Sequence, residues 1–218
     1  MKFTTKTNLV RSTFTALFAA LICVGCFISI PLPGGVPITI QNMFAALSGL
    51  VLGGIQGAGA VGLFLVLGAV GIPVFSGVTG GLAVLQGPTG GFLFGYFIGA
   101  LLAGLILGSP IKNEKKHTHG LNLYVKIILA ALVAFAMQYA IGIPWFISSM
   151  SAQGKAFSFA KALSATLIPF IPGDSIKIVL SVILTAALRP VAARYLYPDD
   201  EKEAAELLEK LKQKSGKA

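Results

Sequence analysis

An acid and a base lie three residues apart near the start of the last apolar stretch of the chain. Asp174 and Lys177 share one face of any helix that contains both, because residues three apart are neighbours on a helix surface. A charged side chain in a membrane span costs about 2.5–3.5 kcal/mol on insertion scales and commonly marks a functional site. We expect a polar binding site here, in which Asp174 accepts hydrogen bonds from N–H groups and Lys177 faces a carboxylate. The alternative is a neutral pair that only anchors the end of the helix.

Two further polar side chains are candidates for the same site. Gln41 stands at the start of the second apolar stretch and offers one acceptor and two donors. Tyr96, in the fourth stretch, adds a hydroxyl group and an aromatic wall. Together these groups suit a ligand that carries both hydrogen-bond donors and an acid group.

The acidic residues that define this site are few and unevenly placed. Six of the eight Asp and Glu residues lie in the last 20 positions, so the first 198 residues contain only Glu114 and Asp174. Charged residues make up 11% of the chain, against about 25% in an ordinary soluble domain, whereas hydrophobic residues make up 55%. A soluble globular protein cannot cover its surface in this way. The composition therefore predicts a membrane protein and excludes an ordinary soluble enzyme.

Other kinds of chemistry are not expected. Cys23 and Cys26 lack the two further ligands that a zinc site needs, since the only histidines, His117 and His119, lie in a distant polar loop. We expect both cysteines to be small packing residues, with no metal and no cofactor. The spans offer Asp174 as their only acid and no histidine, which argues against an enzyme. The net charge of +9 comes from scattered residues, so we expect no nucleic-acid binding.

Six apolar stretches predict an all-α integral membrane protein with six transmembrane helices. They run over about residues 13–30, 38–53, 56–70, 90–107, 123–143 and 175–188. Several are shorter than the usual ~20 residues, which is tolerated where a segment lines a cavity rather than lipid. We expect residues 1–197 to form this membrane domain. Residues 198–218 form a charged tail, which is either a short amphipathic helix or a solvated segment.

Lysine and arginine predict the orientation. With six spans, the basic segments all fall on one side, which the positive-inside rule makes cytoplasmic, together with both termini. These segments are Lys2, Lys6 and Arg11 before the first span, Lys112, Lys115 and Lys116 between the fourth and fifth, and Arg189 and Arg194 after the sixth. The opposite side carries only Lys155 and Lys161.

Small residues recur at four-residue spacing in two of the spans. Such residues let helix backbones approach closely in lipid, where the hydrophobic effect no longer draws helices together. The stripe in the fourth span is expected to pack inside the protein, whereas the stripe in the first span packs internally or against an external partner helix. The stripes are Gly91, Gly95 and Gly99, and Ser12, Ala16 and Ala20.

Two of the predicted outer loops are rich in Gly and Pro, yet they carry no charge. They join the first span to the second and the third to the fourth. Loops of this composition suit a lid over a small-molecule cavity better than simple connectors. The residues we assign to the lid are Pro33, Val36, Phe75, Ser76 and Gly77.

Three motifs together resemble the BioY family, the biotin-binding S components of energy-coupling factor (ECF) vitamin transporters. They are Pro-Ile-Thr-Ile-Gln at 37–41, the Gly-rich segment 80–91, and Pro-Phe-Ile-Pro-Gly-Asp-x-x-Lys at 169–177. The resemblance covers about residues 10–195. It implies a six-helix, multi-pass protein of the bacterial plasma membrane that binds biotin from outside. It also implies partners besides membrane lipid, namely a transmembrane coupling protein and two cytoplasmic ABC ATPases.

The resemblance also implies roles for single residues. In S components an Ala-x-x-x-Ala stripe on the first span faces the coupling protein, and Ala16 and Ala20 match it here. We expect Asp174 and Gln41 to bind the ureido end of biotin and Lys177 its carboxylate, or the reverse. The chain has no Walker A motif, so its partners supply the energy or transport is passive. The alternative function is a stand-alone facilitator for biotin or another vitamin.

Overall fold

The computed structural model of the 218-residue chain describes residues 2–32, 36–110 and 120–196. These ranges are mostly helical: α1 Lys2–Val24, α2 Gln41–Leu52, α3 Gly54–Ala69, α4 Leu82–Gln86, α5 Gly90–Leu107, α6 Gly120–Ala152, α7 Phe159–Thr166 and α8 Ile171–Leu196. Short 3-10 helices follow α1 and precede α8, at Gly25–Phe27 and Ile168–Phe170. The strands β1 Ser29–Ile30 and β2 Ile38–Thr39 pair antiparallel. Pro33 and the predicted tail at 198–218 lie outside the described residues.

Four helical segments in the described ranges are long and apolar enough to cross a membrane. They are Asn8–Phe27, Gly90–Leu107, Asn122–Ala152 and Phe159–Leu196. The prediction of a mostly helical membrane protein is confirmed, and a helix overlaps each of the six predicted stretches, whereas the count of six spans stays a prediction. The predicted ends of the fifth and sixth stretches are wrong, because α6 and α8 continue through Pro144 and Pro190.

The short helix α2 lies at the centre of the bundle. Eleven of its twelve residues are buried, and it packs against α1, α3, α5, α6 and α8. Because neighbouring helices enclose it, α2 does not need the length that a lipid-exposed span requires. Gly53 is the single residue between α2 and α3, and its φ of +91° is the left-handed conformation that glycine adopts most readily.

The predicted glycine stripe of α5 forms the contact with α6. A β-carbon added to Gly91 would lie 2.3 Å from Cβ of Trp145, and one added to Gly95 would lie 2.5 Å from Cα of Gln138. Gly99 is equally close to the backbone of α6. The expectation that this stripe packs inside the protein is confirmed. Because these glycines have no side chains, the antiparallel helices α5 and α6 are in contact along the stripe.

Replacing Gly95 with alanine should destabilise the protein by about 1–3 kcal/mol, the usual cost of overpacking. The new methyl group has no room, since Gln138 presents backbone rather than a flexible side chain. Gly59→Ala is the matched control, because a β-carbon on that exposed helical glycine would meet only Thr15 Cγ2, at 3.7 Å. Thermal unfolding in one detergent compares the two variants. Equal melting temperatures for both would contradict the close α5–α6 contact.

A buried arginine holds one end of the bundle, which we call the Arg189 end. Arg189 is 1% exposed and donates hydrogen bonds to the carbonyl oxygens of Leu50 at 2.7 Å, Leu107 at 3.1 Å, Gly108 at 2.9 Å and Ser109 at 3.2 Å. These carbonyls lie at the C-terminal ends of α2 and α5, where they lack helical partners and a positive charge is favourable. The prediction that Arg189 follows the last span is therefore wrong, since it lies within α8 and inside the protein.

Candidate binding site

A cavity of about 360 Å³ opens at the opposite end of the bundle, where α2 and α5 begin. Gln41 and Tyr96 both line it, as predicted for a common site. Four of the five predicted lid residues also line it, namely Val36, Phe75, Ser76 and Gly77. The remaining one, Pro33, is outside the described residues. The described part of the chain therefore brings the first two motifs and both loops to one cavity.

Local hydrogen bonds position the two loops beside this cavity. The β1–β2 pair joins Ser29 to Thr39 in register and returns the first loop to the start of α2. In the second loop, Phe75 and Thr79 exchange backbone hydrogen bonds of 2.8 and 3.2 Å. The ring of Phe75 packs edge-on against Phe64, with ring centroids 5.3 Å apart, and this contact anchors the loop in the protein.

A side-chain hydrogen bond connects the two loops. The hydroxyl groups of Ser29 and Ser76 are 2.8 Å apart, and both residues line the cavity. Either oxygen can be the donor. The contact connects residues 47 positions apart in the chain and is exposed to the space that a ligand would fill.

Gln41 has a more specific role than the sequence indicated. Its side-chain nitrogen donates to the carbonyl oxygens of Ile22 at 3.1 Å and Val74 at 2.8 Å. Both donors are thus used to hold the end of α1 and the second loop against α2. Only the carbonyl oxygen of the Gln41 side chain is left to meet a ligand.

A small polar pocket continues the cavity toward α8. The two spaces share Val36, Pro37, Thr39, Phe92 and Tyr96 as wall residues. The pocket adds polar side chains that the cavity itself lacks: Asn42, Gln138, Tyr139, Thr166 and Lys177. A ligand in the cavity can therefore place one polar end among these groups.

Behind this pocket, Asp174 accepts hydrogen bonds from four side chains. Its Oδ1 accepts from Lys177 Nζ at 3.0 Å and Asn42 Nδ2 at 3.1 Å. Its Oδ2 accepts from Gln138 Nε2 at 3.2 Å and from the hydroxyl group of Tyr139. Lys177 Nζ also donates to Asn42 Oδ1 at 3.1 Å. A carboxylate that is only 6% exposed needs such partners, because an unpaired buried charge is very costly.

The predicted pairing of Asp174 and Lys177 on one helix face is confirmed, whereas their roles toward a ligand stay a prediction. Their charged atoms are 3.0 Å apart in an ion pair. This contact brings the two charges together at one polar position. Lys177 lines the polar pocket, whereas Asp174 lies behind it and orients its donors.

Three residues of this network, Asn42, Gln138 and Tyr139, were not predicted from the sequence. The signal for Gln138 and Tyr139 was present, since they are adjacent polar residues inside the long apolar stretch that became α6. Asn42 directly follows Gln41, and both are buried at the start of α2. The cost of burying polar groups, which pointed to Asp174, applies to these residues in a weaker form.

Comparison with known proteins identifies the family of the chain. The sequence model of the BioY family matches residues 2–194. The chain belongs to the BioY family. The resemblance predicted from three motifs is thus confirmed. BioY proteins are transporter components, so the expectation that the chain is not an enzyme is confirmed as well.

Individual BioY proteins are similar over most of the chain. The biotin transporter BioY of Thermotoga maritima is 38% identical, over 79% of this chain and 92% of that protein. The biotin transporter BioY of Rhodobacter capsulatus is 37% identical, over 83% and 95%. Among solved structures, the S-component for biotin from an ECF-type ABC transporter superposes with a TM-score of 0.70 at 30% identity, over 84% of this chain and 92% of that one.

Proposed function

We propose that this chain is the biotin-binding S component of an ECF-type transporter and captures biotin for uptake. The observation that carries the proposal is the cavity that continues into the polar pocket beside Asp174 and Lys177. Its walls include apolar side chains such as Leu32, Phe92 and Leu93, with polar groups concentrated at the pocket. Biotin combines apolar rings and tail with a polar ureido group and a carboxylate, and such ligands suit an apolar cavity with a few placed polar groups.

The ureido end fits the polar pocket better than the carboxylate does. Asp174 and Lys177 neutralise each other, so the pocket offers donors and acceptors without a free positive charge. A second carboxylate next to Asp174 would meet like-charge repulsion, whereas a neutral ureido group can both donate and accept. The carboxylate of biotin then lies toward the hydroxyl groups of Ser29, Ser76 and Thr79 at the loop side of the cavity.

This orientation predicts the order of affinities for two biotin analogues. Diaminobiotin lacks the ureido carbonyl and leaves a buried donor of the pocket unpaired, at a cost of about 1–3 kcal/mol, or about 5- to 150-fold in affinity. Biotin methyl ester keeps the ureido group and should lose less. Competition against labelled biotin on the purified chain measures both. A larger loss for the ester than for the diamine would reverse the orientation.

We place the protein in the bacterial plasma membrane with six spans and both termini in the cytoplasm. The support is that the first half of α1 and the end of α8 lie together at the Arg189 end. Arg11 Nε donates to the Leu196 carbonyl at 3.3 Å, and the rings of Phe14 and Tyr195 stack with centroids 6.4 Å apart. Exposed basic side chains such as Arg194 belong to this end, as expected for a cytoplasmic face.

The energy for uptake comes from partners in this proposal. Ser12, Ala16 and Ala20 are all exposed along α1, so the small-residue stripe does not pack inside the chain. We assign it to the transmembrane coupling protein, which in turn engages two ABC ATPases. The Gly- and Pro-rich loops close the cavity as a lid, while the partners reorient this subunit.

Two measurements test the proposal. The first is labelled-biotin binding to the purified chain with riboflavin and thiamine as competitors. We expect unlabelled biotin alone to displace the label, and displacement by another vitamin would contradict the assigned substrate. The second is biotin uptake in a host that lacks the coupling protein and the ATPases. Uptake there at the full rate would favour the second candidate, a stand-alone facilitator for biotin or another vitamin.

A further inference from the structure

A groove on the outside of the bundle, separate from the ligand cavity, reaches the Asp174 network. It lies between α6 and α8 and has a volume of about 260 Å³. Its walls are mostly apolar, and they also include Asp174 and Tyr139. Tyr139 lines the polar pocket as well, so this side chain is common to the groove and the pocket. The groove therefore adjoins the proposed binding site.

The exposed rims of this groove indicate whether it contacts lipid or water. Leu132 on one rim is 46% exposed and Ile171 on the other is 52% exposed. Both residues belong to segments that are long and apolar enough to cross a membrane. With these segments placed in the membrane, as proposed above, the rims face lipid hydrocarbon rather than water. An unfilled groove would lose dispersion contacts along its walls.

The polar atoms at the floor of the groove select an apolar occupant. The hydroxyl group of Tyr139 donates to Asp174, and the carboxylate of Asp174 already accepts four hydrogen bonds. The other polar side chain of the groove, Ser175, donates to the Ile171 carbonyl at 2.7 Å. The hydroxyl donors of the groove are thus already paired, whereas an aliphatic chain needs no hydrogen bond.

We propose that the groove between α6 and α8 binds one acyl chain of a membrane phospholipid. The bound chain packs against the back of Tyr139 and holds its hydroxyl group on Asp174. Lipid in the groove therefore raises the affinity of the ligand cavity on the other side of Tyr139. This second step rests on the proposed function, whereas the lipid site rests only on the membrane location of α6 and α8.

Filling the groove with a side chain tests the lipid site. Ala136 is exposed and lines the groove, so Ala136→Trp should displace the acyl chain. Leu129→Trp is the matched control, because Leu129 lies on the same helix, is 52% exposed and does not line the groove. Native mass spectrometry after purification with dioleoylphosphatidylcholine counts the lipids that stay bound. We expect one retained lipid in the wild type and in Leu129→Trp, and none in Ala136→Trp.

Equal lipid retention in all three proteins, or none in the wild type, would overturn the site. Should Ala136→Trp fail to fold, Ser175→Phe blocks the same groove from α8. The coupling step is tested by adding dioleoylphosphatidylcholine back to delipidated protein. We expect biotin affinity to rise about fivefold in the wild type and in Leu129→Trp, the lower end of usual coupling between sites, and to stay unchanged in Ala136→Trp.

A biotin affinity of the wild type that does not change when lipid is added would overturn the coupling. The lipid count does not require biotin, so it decides the site even if the chain binds a different ligand. Failure of the proposed function and failure of the lipid site are in this way separate results.

Discussion

Replacing Asp174 with alanine should abolish high-affinity ligand binding and weaken the fold in the same variant. The change leaves Lys177 in a largely buried position without its counter-charge, and it removes the acceptor that orients Asn42, Gln138 and Tyr139. Breaking a buried ion pair in this way costs about 3–5 kcal/mol. If the polar pocket depends on the network, affinity falls by about 100-fold or more. Titration with labelled biotin and thermal unfolding measure the two effects.

A double variant separates the loss of binding from the loss of stability. In Asp174→Asn/Lys177→Met both charges are removed, and removal of a complete buried pair is often neutral for stability. We expect this protein to regain most of the stability lost in Asp174→Ala without regaining ligand affinity. Ser175→Ala is the control, since that neighbour is exposed and takes no part in the network. Wild-type affinity in both Asp174→Ala and Lys177→Ala would refute the site.

The sequence was sufficient to locate this network, because burying a charge has a high free-energy cost. A charge in an apolar span is so costly that it stands out, and Asp174 was the only acid among the spans. The identity of its donors was not accessible. Neutral polar side chains such as Asn42 and Gln138 cost less to bury, so their presence in a span is a weaker signal. Their partner also lies 132 and 36 positions away in the chain, and only the fold brings them together.

Contacts to the backbone were equally invisible before the fold was known. Gln41 binds the carbonyls of Ile22 and Val74, and no side chain in the sequence marks those acceptors. Arg189 likewise binds backbone carbonyls, which lie at the ends of two helices that are distant in the sequence. Its charge suggested a position beyond the membrane span, yet helix ends inside the bundle offered it enough acceptors. The glycine stripe was easier to interpret, since close packing needs only small residues at regular spacing.

A disulfide between the two loops should control entry and exit of the ligand. The hydroxyl oxygens of Ser29 and Ser76 are 2.8 Å apart, so this directly contacting pair is the choice for an engineered bridge between the loops. We expect Ser29→Cys/Ser76→Cys, oxidised with biotin bound, to release the ligand about 100-fold more slowly than the reduced protein, because a locked lid prevents exchange. Oxidised before biotin is added, the same variant should fail to bind it. Reduction should restore both rates.

The native thiols must first be removed for this experiment. Cys26 lies near the second loop, with Sγ 3.8 Å from the Pro73 carbonyl, so both Cys23 and Cys26 are changed to alanine. Each single variant, Ser29→Cys or Ser76→Cys, serves as a control that cannot form the bridge. Stopped-flow exchange of labelled biotin gives the rates, and a gel shift gives the fraction of protein that is cross-linked. Unchanged exchange in fully cross-linked protein would show that the ligand enters elsewhere and that these loops are not its lid.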